Sequence, residues 1–301
     1  MSVTGDQINL IVDRILLATD FSMASEVAAK YARAIAKRFA STVTLANVID
    51  LSTASRSDVA VAGQLIDEMR RDSSENLGRV ANDFSGSGVQ VKTQTVESRD
   101  PAASIVTLAE EQAFDLIILG THARRGWTKL ILGSCAEDVI RHAGCPVVTI
   151  GPNVKEPRGD EFSFNSIVFA TDLSHDAARK AGLAVALAED STGKIHLCHF
   201  VEHPGKTSSD VSKEKLGFEA ALERLIPTSS YEWCYSNCIV EHGDAASRIL
   251  ETAKRVKAEL IVLGAKHSPR LLTRFENGIL SNVLALAECP VMTVGSVEIR
   301  P

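Results

Sequence analysis

The amino-acid sequence predicts an α/β protein: two tandem, doubly wound, parallel five-stranded sheets with helices on both faces. A repeat is the first observation behind this. RILLATD at 14–20 recurs as SIVFATD at 166–172, 152 residues on. FDLIILG at 114–120 recurs as AELIVLG at 258–264, and CPVVTI at 145–150 as CPVMTV at 289–294, both 144 residues on. VESRDPAASI at 96–105 and VEHGDAASRI at 240–249 share the second spacing, so one eight-residue length change in the middle of the unit reconciles the two. The second observation is that short apolar runs alternate with longer amphipathic ones in each copy. The third is that the short runs are continuous Ile, Leu and Val, the mark of strands covered on both faces.

In the first copy, Ile15–Ala18 reads as a strand and Ser25–Phe39 as a helix, from Ala and Val at helical spacing. Val43–Val48 is the second strand, Val61–Phe84 a long helix with charges on one face, and Val89–Val96 the third strand. Pro101–Gln112 is a helix carrying Pro in its first turn, where the missing N–H costs little. Leu116–Leu119 is the fourth strand, Ser134–His142 a helix and Val147–Ile150 the fifth strand. The second copy repeats this order. The domains are then 1–151 and 163–301, and 152–162, with Pro152, Pro157 and Gly159, is the linker.

A chain of 301 residues, 45% hydrophobic and 23% charged, can bury two cores, which excludes disordered and collagen-like classes. Lys and Arg number 32 against 38 Asp and Glu, a formal charge of −6, so no global field draws the chain to nucleic acid or to an anionic membrane. Aromatic residues are 5%, with no stripe of aromatic and basic residues, which argues further against nucleic acid as a partner. No run approaches the ~20 apolar residues of a membrane-spanning helix. Asp6 and Asp13 interrupt the opening residues and no basic segment precedes an apolar one, unlike a secretory signal. Six cysteines, at 135, 145, 198, 234, 238 and 289, form no CxxC pair and read as reduced thiols. The expected location is cytoplasmic.

Ligands of doubly wound sheets sit beyond the carboxyl ends of the strands, where the strand order reverses. The residues to watch are therefore Thr19, Asp20 and Ser22 after strand one, Asp50 after strand two, and 120–134 after strand four. Gly133 and Ser134 open a helix, where free N–H groups and the helix dipole attract an anion, and Arg124, Arg125 and Lys129 precede them. The same Gly-Ser pair also reads as an ordinary helix cap, and the basic residues as a solvated loop. Neither a Walker pattern nor GxGxxG is present. In the second copy His196, Cys198, His199 and His203 cluster about one strand and Cys234, Cys238 and His242 about the next, which raises zinc as a ligand. Four residues of extended strand hold Cys234 and Cys238 ~13 Å apart, too far to share one ion. Buried thiols acting as small hydrophobes are the plainer reading.

On these residues the sequence resembles the universal stress protein family, in its tandem two-domain form, over nearly the whole chain. The family's ATP-binding pattern, Gly-x2-Gly-x9-Gly-(Ser/Thr), is matched in spacing by Gly120-x2-Ala123-x9-Gly133-Ser134, with Ala in place of the second Gly. The resemblance implies an adenine nucleotide alpha hydrolase-like fold and ATP as ligand, with Mg²⁺ accompanying it near Asp20. It implies that Ala18, Thr19 and Asp20 face the adenine or ribose and that Val48 lines the base pocket. Gly120, His122 and Ala123 would approach ribose and phosphates, and Gly133, Ser134 and the Cys135 amide would hold the phosphates. An alanine at 123 costs ~1 kcal/mol if that position needs a positive φ and nothing otherwise. The second copy reads Gly264-Ala265-Lys266-His267, then nine residues, then Asn277-Gly278, with bulk where a small residue belongs and no hydroxyl after the last Gly. It is expected to be a degenerate partner. The function implied is that of an ATP-binding stress-response regulator rather than an enzyme. A slow Mg-dependent ATPase and a nucleotide-free structural or metal-binding protein are the alternatives. The resemblance also implies pairing of the two domains through their last strands, Val147–Ile150 and Val291–Val294, and homodimerisation of the chain.

Overall fold

The computed structural model describes residues 12–52, 59–121, 133–157, 159, 163–202, 208–227, 230, 234–264 and 278–295. They fall into two compact units, one within 12–159 and one within 163–295. The first runs β1 (Arg14–Ala18), α1 (Met23–Phe39), β2 (Thr42–Asp50), α2 (Val59–Asn82), β3 (Val91–Ser98), α3 (Pro101–Glu111), β4 (Leu116–Gly120), α4 (Ser134–His142) and β5 (Val147–Ile150). The second runs β6 (Ser166–Ala170), α5 (Ala177–Asp190), β7 (Lys194–Val201), α6 (Ser208–Glu223), β8 (Tyr235–His242), α7 (Ala245–Val256), β9 (Leu260–Gly264), α8 (Ile279–Leu286) and β10 (Val291–Val294).

Each unit is a parallel sheet, ordered β3-β2-β1-β4-β5 in the first and β8-β7-β6-β9-β10 in the second. The order reverses between β1 and β4, and again between β6 and β9, which places a ligand crevice beyond those strand ends. The duplication extends to register. Arg14 pairs with Thr42 as Ser166 pairs with Lys194, and Ile15 pairs with Leu116 as Ile167 pairs with Leu260.

Continuous apolar sequence does mark the central strands: Ile15, Leu16, Leu17, Ile117 and Ile118 are wholly buried. The end strand β3 differs. Its sequence VKTQTVES is polar apart from Val91 and Val96, and none of its residues is fully buried, as befits a strand at the end of its unit's sheet order. Helix α1 begins two residues before the expected Ser25, because Ser22 is its N-cap and accepts a bond from the Ser25 N–H at 3.3 Å. Ala28, Ala32, Ile35 and Ala36 form its buried stripe, with methyl groups that let the helix lie close on the sheet. No helix among the described residues is long and apolar enough to cross a membrane.

Candidate functional site

The turn after β1 is fixed by side chains that bond their own backbone. Thr19 N–H donates to the Ala46 carbonyl (2.9 Å), and Thr19 Oγ1 accepts from the Phe21 N–H (3.1 Å). Asp20 Oδ1 accepts from the Ser22 N–H (3.1 Å), the Ser22 hydroxyl (2.5 Å) and the Ser25 hydroxyl (2.6 Å). Together these hold Phe21 at φ 61°, a left-handed conformation that a bulky residue adopts only when its surroundings impose it. The Asn47 amide closes the turn from β2 by donating to the Thr19 carbonyl (2.8 Å). Asp20 is exposed, so one face of this locked turn meets solvent. Val48, next to Asn47 on β2, is half-buried and paired in register with Val96.

The second unit repeats the turn. Thr171 N–H donates to the Cys198 carbonyl, Thr171 Oγ1 accepts from the Leu173 N–H, and Asp172 Oδ1 accepts from the Ser174 N–H. Leu173 has φ 56°. His199, 152 residues after Asn47, takes the amide's place: its Nδ1 donates to the Thr171 carbonyl (2.9 Å) and its ring lies against Phe218.

Beyond β4, Gly120 meets the start of α1. A Cβ at Gly120 would stand 2.5 Å from the Ala24 carbonyl carbon and the Ser25 nitrogen. This glycine therefore lets helix backbone rest on the strand end, a reason distinct from approach to a ligand. Thr121 N–H donates to the Ile150 carbonyl, and the Thr121 side chain is buried with no partner for Oγ1 among the described residues. Across from it stands Gly133, the N-cap of α4, at ordinary φ −59° and ψ 132°, with no side chain capping the helix among the described residues. Among the described residues, a Cβ at Gly133 would meet only Thr121 Oγ1, at 3.9 Å. Nothing but the Thr121 side chain, among the described residues, stands before the first-turn N–H groups of Ser134 and Cys135. Cys135 itself is no nucleophile: burial first, then the charges of Asp138, Asp20 and Asp100, push its thiol up to about 11. The same carboxylates place Asp20 and Asp100 near the start of α4.

The structure thus brings Ala18, Thr19, Asp20, Gly120, Gly133, Ser134 and Cys135 to the carboxyl end of one sheet. His122 and Ala123, with Arg124, Arg125 and Lys129, lie outside the described residues. Sequence reasoning passed over Ser25 and Asn47 in this unit, gave Thr121 no role within 120–134, and passed over Lys180 with Asp176 in the other. A comparison at the 152-residue offset was the signal for the last pair, which stand where the first unit has Ala28 and Ala24. Lys180 is buried and its Nζ lies 2.7 Å from Asp176 Oδ2, with side-chain exposures of 5% and 16%. Its Cδ, Nζ and Cε would lie 3.0–3.6 Å from a Cβ at Gly264. The lysine stem therefore covers the end of β9, where in the first unit helix backbone covers β4. Helix α5 correspondingly starts at Ala177, in line with Ser25, whereas α1 starts at Met23.

The sulfur and imidazole groups of the second unit are spread apart. Cys198 is buried on β7, and its Sγ donates to the His196 carbonyl; burial holds its thiol far above the ordinary range. Cys234 and Cys238 are pushed up to about 11, chiefly by burial. His203 lies outside the described residues, and no three His, Cys, Asp or Glu side chains among the described residues assemble as a metal site. His196 is buried, its Nδ1 has no partner among the described residues, and burial lowers its pKa, helped by Lys194 and Arg255. The unfolded chain, with an ordinary histidine near 6.5, then binds the proton more readily than the folded one. Stability is expected to fall as pH drops from that value towards the depressed folded one. Urea midpoints at pH 7 and pH 5 should show a smaller acid loss in His196→Gln than in the wild type; equal losses would mean that His196 is not the titrating group.

Two copies of one doubly wound parallel sheet, each with a locked turn at its switch point, define a tandem α/β protein. The model of the universal stress protein family matches residues 12–151 and again 163–295, and the chain belongs to that family. A universal stress protein of Methanocaldococcus jannaschii is 36% identical over 144 residues, 48% of this chain and 84% of that one. A second from the same organism is 27% identical over 157 residues, 47% of this chain and 96% of its own length. The crystal structure of a universal stress protein from Archaeoglobus fulgidus superposes with a TM-score of 0.76, covering 96% of this chain and 98% of that one at 21% identity. That likeness is one of fold.

Proposed function

We propose that the first unit binds ATP as a regulatory ligand, with its phosphates on the N-terminus of α4, and that the second unit is a partner that takes no nucleotide. The observation carrying this reading is the start of α4 at Gly133, uncapped by any side chain among the described residues and set beside the β1–β4 switch point. Exposed Asp20 and the half-buried Val48 border the side where ribose and base would lie. The carboxylates of Asp20 and Asp100 near this opening favour a nucleotide that arrives as its magnesium complex, with its charge partly neutralised. Asp20 Oδ1 is already engaged by three donors, so the metal would sit on the phosphates and reach Asp20 through water. The second unit keeps the turn and a helix without a side-chain cap among the described residues, but departs in two respects: Asn277-Gly278 replaces Gly133-Ser134, and the Lys180 stem covers the end of β9. A ligand that binds one conformation more tightly shifts its population, which is how such a module would report nucleotide.

Titration calorimetry tests this. Wild-type protein should take up one ATP per chain, and Gly133→Val should weaken it at least about tenfold by placing a branched side chain on the phosphate approach. The same variant should lose no more than about 1 kcal/mol of stability, the cost of a poorer N-cap, since the backbone at Gly133 accepts a side chain. Undiminished affinity in Gly133→Val would place the phosphates elsewhere, and two ATP per chain would refute the assignment of the second unit.

A further inference from the structure

The first unit leaves a hydroxyl unsatisfied at the place where an anion is expected. Thr121 is 2% exposed, and its Oγ1 has no hydrogen-bond partner among the described residues. A buried hydroxyl without a partner is disfavoured, and native proteins keep few of them. Thr149 Oγ1 is another, but Thr149 stands inside β5. Thr121 follows the last residue of β4, and its backbone N–H is spent on the Ile150 carbonyl. Its Oγ1 faces Gly133, 3.9 Å from where a Cβ would stand there. The hydroxyl and the first-turn N–H groups of α4, unpaired among the described residues, therefore border the same space. The residue 144 positions on is Ala265, so the second unit, whose α8 also begins without a side-chain cap among the described residues, has no such hydroxyl.

We propose that Thr121 is an oxyanion-recognition residue, whose hydroxyl donates to a phosphate oxygen held by the N-terminus of α4. This rests on the reading of the first unit as a nucleotide site and adds to it a donor from the strand side. Serine can supply the same bond; valine, equal in shape, cannot. A site built to bond an oxyanion loses the bond when the donor is removed, while the unliganded protein is relieved of a polar group it could not satisfy.

The test pairs stability with binding in wild type, Thr121→Val and Thr121→Ser, using ATP and inorganic tripolyphosphate as separate titrants. Thr121→Val should melt at or above the wild-type temperature without ligand, yet bind both titrants about tenfold more weakly. Thr121→Ser should bind within a factor of about three of the wild type. Wild-type binding with undiminished affinity in Thr121→Val overturns this inference and leaves the nucleotide reading standing. A valine variant that melts lower and keeps its affinity assigns the hydroxyl to the fold, and also overturns it. Tripolyphosphate bound by the wild type without ATP, and lost in Thr121→Val, refutes the nucleotide reading while supporting the role of Thr121. A wild type that binds neither refutes both.

Discussion

Gly120→Ala is expected to destabilise the first unit by about 3 kcal/mol, on the order of 10 °C in its thermal midpoint. The added methyl would lie 2.5 Å from two backbone atoms of α1 and 2.8 Å from a third, the Ala24 carbonyl oxygen. Backbone in a helix cannot swing aside as a side chain can, so α1 must lift from β4 or the strand must bend. Lifting α1 carries Ser25 away from Asp20, and with it one of the three bonds that hold the turn after β1. Nucleotide affinity should therefore fall together with stability, unlike Gly133→Val, where the loss is chiefly one of affinity. The second unit supplies the control. Gly264→Ala meets the end of a flexible lysine at 3.0–3.6 Å, which can shift by a few tenths of an ångström. That variant should cost no more than about 1 kcal/mol. Urea unfolding of the two alanine variants decides the matter; equal losses would show that contact between α1 backbone and β4 is not what Gly120 serves.

The architecture was legible in the sequence because it rests on local, repeated signals. Continuous Ile and Leu at 15–17 and 116–119, between amphipathic runs, read as interior strands, and the two offsets announce the duplication that the paired registers reproduce. What escaped was the work done by side chains whose partners are distant in sequence. Thr19 and Asp20 were singled out as ligand contacts, yet their visible work is to bond the backbone of residues 21 and 22 and fix a left-handed phenylalanine. Asn47 and His199 have unlike side chains, so no motif links them, although each donates to the same carbonyl of its own turn. His199 thus contributes a hydrogen bond and a ring contact where the sequence had raised a metal ligand. Gly120 matched a glycine of the family's pattern, but spacing cannot tell a glycine that admits a ligand from one that admits a helix. Thr121 lay within the stretch after strand four but had no role there. A threonine at a strand end is ordinary until its hydroxyl is found buried and unpaired among the described residues.

Lys180→Met should cost the second unit about 3 kcal/mol, far more than an exposed i,i+4 pair would. Both members of the pair are withdrawn from water, the ammonium almost wholly. Methionine reproduces the stem that covers β9 but removes the ammonium that lies 2.7 Å from the Asp176 carboxylate. Asp176 cannot recover the loss as an N-cap, because its carboxylate caps no N–H of α5 and instead accepts the Ser174 hydroxyl at 2.8 Å. If the loss is one of charge, Asp176→Asn in the same chain should restore most of it, and a double-mutant cycle should give a coupling of about 2 kcal/mol. If the lysine serves only to fill space, methionine alone should be harmless and the coupling close to zero. The first unit solves the same packing problem with Ala24 and Ala28, which let backbone cover the strand end and leave no charge there. One substituted helix turn thus accounts for a difference between two sheets of equal register: a buried cation covers β9, and bare helix covers β4.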